Sequence, residues 1–145
     1  MKKWLWLPLS LTPFLYGFLI TLGVVYVFPS GTLTMTLPLC SLLYFIIWGI
    51  QANLCKKALK STKKAIGFMH IPALIVLLIL LLESVILKTY WTGFAPNLLH
   101  YFYLPATPIM MLIGFGSNDF VAYCVSALMM VCSAYMGCAM PRKKV

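Results

Sequence analysis

Two ionisable side chains lie inside an apolar stretch of the sequence, and their chemistry is considered first. Glu83 and His70 both fall between Ala65 and Leu87. An ionisable group within a membrane span is costly and is a functional hypothesis by default. Glu83 precedes Lys88 by five residues, so it lies roughly 7 Å from the outer end of the stretch. Two interpretations stay open: an interfacial acid that tilts outward or meets Lys88, or a site for a proton or a cation.

Other polar groups fall at the same outer depth as Glu83. We predict that any site on this side is built from Glu83, His100, Asn118 and Asp119. A carboxylate that loses its hydration there needs a positively charged partner, and Lys88 or a protonated His100 would supply that charge.

His70 lies near the opposite end of its stretch, two residues before Pro72. The proline frees a backbone carbonyl one turn earlier, and Gln51 or Asn53 could reach it. We expect structural hydrogen bonding here, worth about 1 kcal/mol or less. A proton relay from His70 to Glu83 would have to cross about 20 Å of aliphatic side chains on the same helix.

The remaining reactive residues show no catalytic or ligand pattern. The five cysteines include no Cys-x-x-Cys pair, the spacing that redox and metal sites use. No nucleophile–base pair and no acidic metal cluster is visible. We therefore expect no enzyme activity, no metal and no other cofactor.

The composition indicates that the chain is embedded in a lipid bilayer. Of its 145 residues 63% are hydrophobic and 9% are charged, with a mean hydropathy of +0.99. A soluble domain has about 25% charged residues, so that class is excluded. The net charge of +9 comes from short basic clusters between apolar runs, and we expect no nucleic-acid partner.

Four apolar runs are long enough to cross a membrane as helices. They cover residues 4–28, 33–55, 65–87 and 120–140, each with 21 to 25 residues. About 20 residues span a ~30 Å hydrocarbon core. Each run is expected to be helical, because lipid cannot form hydrogen bonds with free backbone groups and a helix satisfies them internally. The sequence therefore predicts a single all-α membrane domain over 1–145 with four transmembrane helices.

The basic residues predict the orientation of these helices. With four crossings, ten of the eleven Lys and Arg residues fall on one side and Lys88 falls on the other. By the positive-inside rule both termini are then cytoplasmic, and we expect a bacterial cytoplasmic membrane. We also expect contact between anionic lipid and the inner bases, which are Lys56, Lys57, Lys60, Lys63, Lys64, Arg142, Lys143 and Lys144.

The external segment 88–119 is long and apolar for a loop. Aromatic residues crowd its first half, including Tyr101, Phe102 and Tyr103, as at a membrane–water interface. Its second half is too short to span and contains two prolines. We predict an interfacial or re-entrant segment here.

The last helix carries a stripe of small residues. Ala122, Ser126, Ser133 and Gly137 follow the spacing i, i+4, i+11 and i+15, on one helical face. Small residues at such spacing let membrane helices approach closely. Whether this face packs within the chain or against another chain stays open.

Two functional hypotheses follow. The first is a non-enzymatic accessory, regulatory or immunity-type subunit that acts through helix–helix contacts. The alternative is a small oligomeric transporter or channel component that uses Glu83 as an outward-facing proton or cation site.

The predicted topology can be tested with reporter fusions. Fusions after Lys64 and after Lys144 should report a cytoplasmic location, and one near Ala95 an external location, because the bases hold one side inside. A cytoplasmic signal at Ala95 would contradict the whole arrangement.

Overall fold

The computed structural model describes residues 6–26, 33–87, 94–114 and 119–140, and the elements in these ranges are all helices. In chain order they are α1 (Trp6–Ser10), α2 (Thr12–Tyr26), α3 (Leu33–Leu59), α4 (Thr62–Leu81), α5 (Phe94–Tyr103), α6 (Thr107–Leu112) and α7 (Asp119–Ala139). α4 continues into a π-helical turn, Leu82–Leu87. The predicted all-α class is confirmed.

Three of the helices are long and apolar enough to cross a membrane. Their candidate spans are Thr36–Leu59, Thr62–Leu81 and Phe120–Ala139, with 20 to 24 residues each. They coincide with the second, third and fourth apolar runs of the sequence. The structure thus supports an integral membrane protein with three candidate spans among its described residues, and the orientation remains a prediction.

The first apolar run is divided into two helices at Leu11. Pro13 has no N–H, so the Leu9 carbonyl lacks its usual helical donor. The hydroxyl of Thr12 donates to that carbonyl instead, at 2.8 Å. The apolar helix that follows, Thr12–Gly23, is about 18 Å long. A fourth full span over 4–28 is therefore not confirmed, and part of that range lies outside the described residues.

A tight turn joins α3 to α4 and keeps the basic residues at one end. Lys60 ends α3 in the left-handed conformation, with φ 54°. Ser61 then caps α4, because its hydroxyl accepts a hydrogen bond from the backbone N–H of Lys64. The five lysines of this region accordingly share the end of the bundle where α3 and α4 meet.

The most extensive helix contact is between α3 and α7. The two helices run in the same direction, and a Cβ atom added to Gly137 would overlap the backbone of Gly49. Ser133 Oγ donates to the Phe45 carbonyl across the same contact. Backbones can approach this closely because neither Gly49 nor Gly137 carries a side chain.

α5 and α6 enter the bundle between the longer helices. The Tyr103 hydroxyl donates to the Ala73 carbonyl at 2.7 Å, and Ala73 lies midway between Thr62 and Glu83 along α4. Pro105 then breaks the helix, and α6 starts again at Thr107. The end of α5 therefore lies level with the middle of α4, and the interfacial or re-entrant course of the whole segment remains a prediction.

Two of the aromatic residues assigned to the interface are buried instead. Phe102 and Tyr103 are both 0% exposed. Phe102 packs edge-to-face on Phe14 of α2, with ring centroids 4.9 Å apart. α2 approaches this part of α5 so closely that a Cβ on Gly17 would overlap the Tyr101 carbonyl. The interfacial prediction is wrong for these two side chains because α5 points into the bundle.

The closeness of α3 and α7 predicts a difference between two glycine substitutions. Gly137→Ala should lower the free energy of unfolding by roughly 1–3 kcal/mol, because the new methyl group meets backbone that has to move. Gly67→Ala is the matched control, since nothing lies within 4 Å of its added Cβ. It should be neutral or stabilising by up to about 1 kcal/mol. Thermal unfolding in detergent micelles measures both, and equal effects would contradict the close crossing.

Candidate functional site

Glu83 lies on the buried face of α4. His70, Ala73, Val76 and Leu80 are the buried residues that precede it on this face, at helical spacing. Glu83 follows in the π-helical turn and is 1% exposed. π-helical turns are rare and occur frequently at functional sites. The acid therefore faces the protein and not the lipid, which removes the interpretation of an acid that tilts outward.

The imidazole of His100 faces the carboxyl group of Glu83. Glu83 Oε2 and His100 Nε2 are 3.8 Å apart, within ion-pair distance. On the other side of the ring, His100 Nδ1 lies 2.9 Å from the Tyr123 hydroxyl. The phenol donates when Nδ1 is unprotonated and accepts when the ring is an imidazolium. The arrangement is thus compatible with both protonation states of His100.

Tyr103 extends this group toward the middle of the bundle. Its ring is 5.6 Å from that of Tyr123, at an angle of 32°, and its hydroxyl is bonded to the Ala73 carbonyl. We call Glu83, His100, Tyr123 and Tyr103 the outer cluster. It contains a carboxyl group, an imidazole and two phenols, and the first two are the groups that most often exchange protons in proteins.

Glu83 and His100 differ in exposure. The Glu83 side chain is 1% exposed, whereas the His100 side chain is 27% exposed. Of the two groups, the imidazole is therefore the one that is accessible from outside the protein. Among the described residues, no three His, Cys, Asp or Glu side chains are placed to share a metal ion.

A second polar group lies deeper, around His70. Its Nδ1 is 2.7 Å from the Ile66 carbonyl, and its ring meets Trp48 edge-on at a centroid distance of 5.7 Å. Within the described part of the chain, Trp48 Nε1 is buried without a hydrogen-bond partner. Gln51, which we expected near this position, has its side-chain amide 2.9 Å from the Thr12 hydroxyl.

The structure brings together two of the four residues assigned to the outer polar site. Glu83 and His100 form the pair described above. Asp119 is the first residue of α7, and Asn118 lies outside the described residues, as does Lys88. The involvement of these three stays a prediction.

The small-residue stripe of α7 is turned inward. Its four members, Ala122, Ser126, Ser133 and Gly137, are all buried. Ser133 and Gly137 contact α3 of the same chain. Of the inner bases, Lys57, Lys60, Lys63 and Lys64 are exposed and Lys56 is half-buried, whereas Arg142, Lys143 and Lys144 lie outside the described residues.

Sequence reasoning missed both tyrosines of the outer cluster. The sequence pattern predicts an interfacial position for Tyr103, and it gives Tyr123 no role beyond its place in an apolar helix. A buried tyrosine usually has a partner for its hydroxyl, so a tyrosine one turn from Asp119 was the available signal. What the sequence lacks is any indication that α5 turns inward to meet Tyr123.

Comparisons with known proteins returned no match: no family model, no curated protein and no solved structure is significantly similar to the chain.

The Glu83–His100 contact predicts energetic coupling between the two side chains. His100→Leu should destabilise the protein by roughly 1–3 kcal/mol, because it leaves a buried polar group with less compensation. In Glu83→Gln/His100→Leu the loss should be smaller than the sum of the two single losses, because the buried acid is gone as well. A double-mutant cycle of detergent-solubilised protein measures this. Additivity within about 0.5 kcal/mol would show that the contact carries no energy.

Proposed function

We propose that this chain is a non-enzymatic integral membrane protein that handles protons through Glu83 and His100, as a small transporter or channel component. One observation carries the proposal. The Glu83 carboxyl is buried inside a bundle of membrane-capable helices and faces an imidazole 3.8 Å away. Burying an ionisable group opposes folding unless the group is well compensated, so a role in function is the simplest account of the presence of Glu83.

The geometry supports a proton more than any other small ligand. Carboxylate and imidazole side chains are among the groups that most often donate and accept protons in proteins. His100 is the exposed member and Glu83 the enclosed one, so the imidazole is the entry point and the carboxylate the storage group. Tyr123, bonded to the far side of the ring, holds the imidazole in place through either charge state.

The accessory-subunit hypothesis has weaker support than it had from sequence alone. It rested on the lack of a buried charge network and of a soluble domain in the sequence, with the small-residue face of α7 left open as a contact surface within the chain or with a partner. Ser133 and Gly137 on that face pack against α3 of the same chain, so a partner would have to use other surfaces. We keep this hypothesis as the second candidate, in which the outer cluster acts as a protonation site within a larger assembly.

We also propose the orientation and membrane that the charge pattern favours. Ten of the eleven basic residues fall on one side under the predicted topology, so we place that side in the cytoplasm of a bacterial cell. The outer cluster then faces the external side, and the inner bases face anionic lipid.

Proton flux into proteoliposomes tests the proposed function. Purified protein is reconstituted with a pH-sensitive dye inside the vesicles, and a pH step is applied outside. Wild type should acidify the lumen faster than empty vesicles, and Glu83→Gln should reduce the excess rate by roughly tenfold or more, the range typical of losing a proton-transfer group. Asp119→Asn makes the same chemical change at the only other acid of the sequence and should have a milder effect.

Two results would argue against transport by this chain. Equal excess flux in wild type and Glu83→Gln would show that the carboxylate does not handle the proton. Absence of flux, together with a partner protein that copurifies in stoichiometric amount, would support the accessory-subunit hypothesis instead.

A further inference from the structure

An apolar groove runs along the lipid-facing side of the α3–α7 contact. Its volume is about 480 Å³, within the usual range for a small-molecule pocket. Gly49 and Gly137 form its floor, and Ile46, Met129 and Met136 belong to its walls. The Ser133 hydroxyl, which also lines it, is already donated to the Phe45 carbonyl. A molecule bound in the groove therefore contacts hydrocarbon side chains and the flexible thioethers of the methionines.

The length of this groove matches one leaflet of a bilayer. The α7 side of the groove extends from Met129 to Met140. Its two ends are eleven positions apart, which is a rise of about 16 Å along the helix. Half of a ~30 Å hydrocarbon core is about 15 Å. Met140 is at the inner end of α7, so the groove covers the depth of the inner leaflet and stops near the midplane.

A cation lies beside the end of α7 at which the groove finishes. Lys56 Nζ donates a hydrogen bond to the carbonyl of Cys138, which lies in the sequence between the groove residues Gly137 and Met140. An ammonium has three donors, so two remain for an anion. Lys57 beside it is exposed. An apolar trough of one-leaflet length that ends at an ammonium group is complementary to a lipid with an anionic headgroup.

The charge pattern disfavours a second copy of the chain as the occupant. In one membrane, identically oriented copies carry their basic ends on the same side. A copy seated in the groove would bring its own five turn lysines next to Lys56 and Lys57, and like charges repel. An anionic lipid brings the opposite charge.

We infer that the α3–α7 groove is a binding site for one acyl chain of an anionic phospholipid, whose headgroup contacts Lys56. This site is independent of the outer cluster and of any proton transport. The acyl chain lies along the outside of this close crossing, over Gly49 and Gly137, and adds apolar contacts to both helices.

Photo-crosslinking tests the site. The protein is reconstituted in phosphatidylcholine vesicles with a trace of phosphatidylglycerol that carries a diazirine at mid-chain. Adducts should map to residues 129–140 and exceed those from the phosphatidylcholine probe with the same chain. Cys132→Trp, which fills the groove, should abolish most of them. Val131→Trp, on the neighbouring residue outside the groove, should not.

The headgroup contact has its own matched pair of variants. Lys56→Gln should lower the preference for phosphatidylglycerol over phosphatidylcholine roughly fivefold, as expected for one lysine near an anionic headgroup. Lys88→Gln removes the same charge from the side that the predicted topology places outside, and it should change the preference little. Circular dichroism of each variant confirms that the helices are retained.

Three outcomes would overturn the inference. Equal yields from the two lipid probes would exclude recognition of the headgroup. Adducts that persist in Cys132→Trp would place the acyl chain elsewhere. Crosslinks between two chains through Cys132, formed with a bifunctional thiol reagent, would make a second copy the occupant.

Discussion

The close approach of α3 and α7 at Gly49 and Gly137 is the contact on which the rest of the bundle depends. Lipid tails are as apolar as leucine, so membrane helices are held together by close packing and interhelical polar contacts. Here the absence of two side chains lets Ser133 bond to the Phe45 carbonyl across the interface. α4 packs against both helices, and the direction of its buried face, which ends in Glu83, follows from that packing.

Proline determines how α5 and α6 join this core. Pro105 has no N–H to donate to the Tyr101 carbonyl, and this part of α5 is where Gly17 lets α2 come close. α5 therefore ends at Tyr103, and the turn that follows at Pro105 and Ala106 is buried in protein. α5 itself places His100 next to Glu83 and Tyr103 at the middle of α4.

Sequence reasoning located the long helices well and the packing poorly, for one physical reason. α7 was predicted over 120–140 and is observed at Asp119–Ala139, because length and hydropathy are properties of a single segment. Which side of a helix faces protein is another matter, since lipid-facing and core-facing positions are both apolar in a membrane. Glu83 and His100 were both named for an outer site, yet the burial of Glu83 and the part played by Tyr123 depend on packing that hydropathy does not encode.

The folded chain supplies the polar groups that α4 lacks along its own length. On α4 alone, His70 and Glu83 are separated by about 20 Å of aliphatic side chains. α5 and α7 place two tyrosines beside this stretch, and the contacts run in series from Glu83 to His100, Tyr123 and Tyr103. The series ends at the Ala73 carbonyl, three residues from His70. Because its members belong to three parts of the bundle, the outer cluster connects the end of α4 that carries Glu83 with α5 and α7. These interhelical polar contacts extend from that end to the middle of the bundle, where α4 meets the α3–α7 pair.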